Sequence, residues 1–200
     1  MADALRTFVL GRPARCRDGA CGQVSRLVVD PGRRALTHVV VEPRHQHGQA
    51  RVVPVELVEA AGDHVALSCA LAHLRDLPYA EEVDLEATEL WAEMGGLSTA
   101  GAAGAYDLPQ PVIVTCERVP EGELELADGA RVCATDGRAG RVHGVQAAAD
   151  GALAALVVRE GRGPWARSVL VAAEAVERFD RDAVHLRVTR AEVGAAPPAP

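Results

Sequence analysis

The sequence predicts a mainly β protein: two small β-barrels in tandem, packed as a pseudo-two-fold pair, with short helices and a linker between them. Three observations point there. First, the chain repeats itself. Cys16-Arg17-Asp18-Gly19-Ala20-Cys21-Gly22-Gln23-Val24 is answered by Cys133-Ala134-Thr135-Asp136-Gly137-Arg138-Ala139-Gly140-Arg141-Val142, Ala35–Val41 by Ala152–Val158, and Glu56–Glu59 by Glu174–Glu177. The offset stays close to about 118 residues, which marks a duplication with small loop indels. Second, the apolar runs are short and Val-rich, with turn residues at close intervals, the pattern of an all-β sandwich or small barrel. Third, Thr37, Val39 and Val41 share one face of a strand while Leu36, His38 and Val40 share the other. A strand apolar on both faces needs cover on its outer side. The other copy is the simplest cover, and this leads to the two-fold packing.

In copy one, Arg15–Arg17 and Gln23–Asp30 read as strands joined across Asp18-Gly19, a dipeptide that supplies the positive φ of a tight turn. Leu36–Glu42 follows, stopped by Pro43, then a polar loop (Arg44–Gln49), the strand Ala50–Pro54, a helical turn, and a last strand at His64–Ser68. Copy two repeats the order with Arg131–Ala134, Arg141–Ala147, Ala152–Arg159, Ser168–Val171 and Val184–Val188. Thr189 and Glu192 have capping-box spacing, so a short helix starts there. The domains expected are 5–78 and 112–194. Between them, 79–111 holds a marginal acidic helix (Glu81–Glu93) and a Gly/Ala-rich linker, and the tail 195–200 should be loose and disordered.

Composition narrows the function classes. The 200 residues hold two Trp, two Tyr and two Phe, so the core must be built from Val, Leu and Ala. All 21 positive charges are Arg and the formal net charge is −7. Such a chain lacks the basic footprint of a nucleic-acid binder and the aromatic platforms that stack bases. Five cysteines without metal spacing suggest a reducing, cytoplasmic setting rather than a disulfide framework. No apolar run is long enough to insert in a membrane.

His45 and His47 alternate on one segment and point the same way, as two metal ligands would, but no carboxylate or thiolate completes the set. The plainer reading is a solvated loop, and copy two has Gly161–Trp165 there instead. Cys16 and Cys21 flank a turn and form either a redox-sensitive pair or two small buried hydrophobes; the second is favoured. Asp18 and Asp136 belong to their turns. No catalytic or cofactor-binding motif occurs, so no enzyme and no cofactor are expected. Trp165 either closes one end of its barrel, which the scarcity of aromatics favours, or anchors an interface beside Arg167.

The repeated unit resembles the PRC-barrel family, named for the photosynthetic reaction centre. The matching residues are Cys16–Val24, Val28-Val29-Asp30-Pro31, Thr37–Glu42 and Arg51–Val58. Copy two departs where Val171-Ala172 replaces Val53-Pro54. The whole arrangement is similar to tandem PRC-barrel proteins of high-GC actinobacteria. The resemblance implies a small β-barrel used for binding, as in the reaction-centre H subunit and the ribosome maturation factor. It does not transfer either function, because the analogy is at the level of the fold.

The expectation is therefore a cytoplasmic, non-enzymatic adaptor that binds a protein partner and no nucleic acid. Its barrels pack within the chain, with homodimerisation a further option. Loops on a rigid scaffold are where binding residues gather. The partner-binding set is Arg44, His45, His47 and Arg51 from one loop and Arg162, Trp165 and Arg167 from the other. Two alternatives stand beside this: a peripheral membrane-complex component like the reaction-centre H subunit, and a metal or redox sensor.

Overall fold

A computed structural model describes residues 5–43, 49–84, 114–117, 120, 122–161 and 165–199. The first half contains β1 (Arg6–Val9), β2 (Pro13–Cys16), β3 (Gly19–Asp30), β4 (Ala35–Glu42), β5 (Arg51–Pro54), β6 (Val58–Ala61), β7 (Val65–Leu67) and helix α1 (Leu71–Asp76). A two-stranded ribbon follows, β8 (Glu81–Asp84) against β9 (Val114–Glu117). The second half contains β10 (Leu124–Ala127), β11 (Arg131–Ala134), β12 (Gly137–Ala147), β13 (Leu153–Glu160), β14 (Arg167–Ala172), β15 (Val176–Asp180), β16 (Ala183–Leu186) and helix α2 (Arg190–Gly194). The protein is mainly β, with two seven-stranded sheets of matching strand order.

Each sheet takes one strand from the other half. β1 pairs antiparallel with β12, Phe8 opposite Val145, and β10 pairs with β3, Leu126 opposite Leu27. The exchange is reciprocal and equal in register. Phe8, Val145, Leu126 and Leu27 are all fully buried, and each such side chain contributes about 2 kcal/mol of apolar burial. One core cluster consequently runs through both halves. The sequence reading overlooked both exchanged strands.

The halves also meet at the start of β4. The Leu36 N–H donates to Gly151 O at 2.8 Å, and the Leu153 N–H donates to Arg34 O at 3.0 Å, so Ala35 and Ala152 form a bridge between equivalent positions. Arg34 and Gly151 both have positive φ, 51° and 86°. A Cβ on Gly151 would lie 2.4 Å from Leu36 O, so this close approach requires glycine.

Three expectations need correcting. A β-bulge at Thr37 shifts the register between Val28 and Val29. One extra residue reverses the alternation, so Leu36 faces the main core with Val39 and Val41, and only His38 and Val40 remain on the outer face. Val40 is covered there in a small second cluster with Val28, Ala50, Val52 and Ala80, none of them from the second half. Glu81–Asp84 is a strand rather than the start of a helix; the remainder of the expected acidic helix lies outside the described residues. The tail expected to be loose lies along the edge of β14, with hydrogen bonds from Leu170 N–H to Pro197 O at 2.8 Å and from Ala199 N–H to Ser168 O at 2.9 Å. Its equivalent in the first half, Pro78–Ala80, lies along β5 in the same way.

Candidate functional site

A cleft of about 680 Å³ opens on the first half. Pro13, Ala20, Cys21, Gly22 and Pro43 form one side, Leu71 and Leu74 of α1 the other, and Arg15, Arg51, Arg75 and Gln49 supply the polar groups. The repeat motif builds this shape. Asp18 Oδ1 accepts the Leu71 N–H at 2.8 Å, which satisfies one of the free amide donors in the first turn of the helix. This contact fixes α1 against the β2–β3 hairpin. The motif aspartate thus serves a backbone group far along the chain, not the turn in which it sits. Asp136 does the same for the Arg190 N–H at 2.8 Å. The second glycine of the motif permits the close crossing of β3 and the end of β4: a Cβ on Gly22 would lie 2.2 Å from Glu42 O.

The three cleft arginines are not equivalent. The Arg51 guanidinium donates to Leu77 O at 2.7 Å and stands 3.6 Å from the centroid of the Tyr79 ring, a cation–π contact that holds the chain after α1. Arg15 and Arg75 are exposed. Cys21 of the cleft wall, Cys16 and Cys69 are buried free thiols. Burial raises the Cys16 pKa, reinforced by its hydrogen bond to Cys21 and by charge repulsion from Cys21 and Cys69. Burial also raises the Cys21 pKa, partly offset by the hydrogen bond with Cys16. Cys16 and Cys21 are therefore protonated at neutral pH. Among the described residues, no group of three His, Cys, Asp or Glu side chains could hold a metal.

The corresponding place in the second half is bridged. Arg167 Nε contacts Glu160 Oε2 at 2.9 Å and its Nη2 donates to Gly194 O at 2.7 Å. These contacts tie β14 to β13 and to the end of α2. Trp165 beside it is 89% exposed. The expectation that it packs at one end of a barrel is therefore wrong; its ring stands in solvent.

Of the partner-binding residues read from the sequence, Arg51 lines the cleft, and Trp165 and Arg167 lie together on the second half. Arg44, His45, His47 and Arg162 lie outside the described residues. Sequence reasoning missed Arg15, Cys21 and Arg75 as cleft residues. Their signal is in the repeat: Arg15, Arg51 and Arg75 stand where copy two has Cys133, Val169 and Gly194.

A second polar group joins the halves. Thr37 Oγ1 donates to Glu123 Oε2 at 2.5 Å, and His38 Nδ1 lies 3.5 Å from the same oxygen. Arg6 donates to Val58 O of the first half and to Ala149 O of the second, the latter at 2.6 Å.

Comparison with protein-family models and with curated proteins finds no match to this chain. Among the described residues, no helix is long and apolar enough to cross a membrane.

Proposed function

We propose that this chain is a non-enzymatic binding module of the tandem PRC-barrel type, working in the cytoplasm as an adaptor for a protein partner. The observation behind the reading is Trp165. In a chain with two Trp, two Tyr and two Phe, a Trp left 89% exposed is costly to keep in water. Trp and Arg are the residues that most often anchor protein interfaces. Here the Trp stands two residues from Arg167, whose guanidinium is held in place by Glu160 and Gly194 O. A fixed Arg beside an exposed ring is a pre-organised contact, which lowers the entropy lost on binding. The PRC-barrel resemblance and the acidic charge support a protein partner over nucleic acid.

The test is affinity capture from the native host with the intact chain and with Trp165→Ala, followed by direct titration of the recovered partner. The expected result is a partner held by the intact protein and weakened at least about tenfold by the substitution. Unchanged affinity for the variant would sink the reading.

A further inference from the structure

We propose that the cleft of the first half is a binding site for a small organic anion with an apolar body and an oxyanion head. The proposal is separate from the Trp165 surface. Three observations support it. The volume of about 680 Å³ falls in the usual range for small-molecule sites, roughly 300–1,000 Å³. The walls have the composition of such sites, with Pro13, Ala20, Leu71 and Leu74 giving an apolar body its contact surface. Three arginines line the cleft, and no acidic residue is among its described lining residues, although the chain as a whole has a formal net charge of −7.

The repeat gives the strongest argument. Copy two builds the same strands and helix with Cys133, Val169 and Gly194 where copy one has Arg15, Arg51 and Arg75. The repeated strands and helix therefore form without arginine at these positions. Arg51 has a structural task at Leu77 O and Tyr79, whereas Arg15 and Arg75 make no hydrogen bond or ion pair with any described residue. Two guanidiniums with no partner among the described residues, at the mouth of an apolar cleft, suit a carboxylate or phosphate, which Arg binds through two parallel N–H donors. In copy two the equivalent space is spanned by the Glu160–Arg167 pair; copy one has Pro43 and Gln49 at those positions, and the cleft is open.

Calorimetric titration of the full chain tests this, with octanoate, octyl phosphate and octanol as probes. The acid and the phosphate are expected to bind one to one, at least about tenfold more tightly than the alcohol, because the charged head meets the guanidiniums. Whichever of the two anions binds more tightly identifies the head group. Arg15→Ala and Arg75→Ala should each weaken the anion at least about fivefold and reduce the effect of added salt on binding. The double variant Pro43→Glu/Gln49→Arg, which copies the bridge of the second half, should close the cleft and abolish binding. Equal affinity for octanol and octanoate, no binding of any probe, or binding that survives both arginine substitutions overturns the proposal. Thermal melts of each variant separate loss of the site from loss of the fold.

Discussion

Arg26 and Glu125 form an ion pair at 3.0 Å although they come from different halves of the chain. Glu125 reaches Arg26 because β10 is inserted beside β3. The two side chains are only 20% and 10% exposed. Removing one partner leaves a largely desolvated charge, at a cost of about 3 kcal/mol. Glu125→Ala should lower the unfolding free energy by that amount, read from the shift of the urea midpoint at unchanged slope. Arg26→Met combined with Glu125→Leu should cost less than the single change, since no desolvated charge remains. A double variant as unstable as the sum of the singles would show that the pair has no such coupling.

The strand exchange also predicts how the protein unfolds. Phe8 lies on β1, is fully buried, and is paired with Val145 of the other half. Phe8→Ala should destabilise by about 3–5 kcal/mol through lost burial and the cavity left behind. Both halves should still melt in one transition, because neither sheet is complete without the other's strand. Two separate transitions by calorimetry would contradict a shared core.

Much of this architecture could be read from the sequence, and the exceptions have physical causes. The strand order, the two motif hairpins and the Thr189–Glu192 capping box follow from local chemistry; the box is present, with the Thr189 N–H donating to Glu192 at 2.7 Å. Exchange of β1 and β10 is a choice of partner, and Arg-Thr-Phe-Val pairs equally well with either long strand as far as its own side chains show. The Thr37 bulge was invisible for a related reason: one extra residue reverses the inward and outward positions without altering composition. The cleft is not legible in the loops that differ between the copies, because Arg15 and Arg75 sit on a strand and a helix that both copies retain.

Asp18 and Asp136 offer a matched pair of variants. Each carboxylate accepts the N–H of the first helical residue, Leu71 or Arg190, at 2.8 Å. Substitution by Ala should cost about 1 kcal/mol at each site, and Asn should recover most of it. Only Asp18→Ala should also weaken octanoate, because α1 forms a wall of the cleft and α2 does not. Equal stability losses accompanied by unchanged octanoate affinity in both variants would separate the cleft from α1.

The buried thiols predict an alkaline limit to stability. The Cys16 and Cys21 pKa values are raised from their ordinary 9.0, chiefly by burial. Below that ordinary value both folded and unfolded chains keep the protons, and the stabilisation is complete. As pH rises past it, the unfolded chain releases protons that the folded chain retains, so stability falls. Denaturation midpoints should therefore drop as pH rises above about 9, and the drop should be smaller in Cys16→Ala/Cys21→Ala. In the same pH range, a thiolate-selective reagent should modify Cys133, which is only half-buried, before Cys16 or Cys21. Faster labelling of Cys21 than Cys133 in the folded protein would mean that the cleft wall opens to solvent and that the thiol is not held neutral by burial.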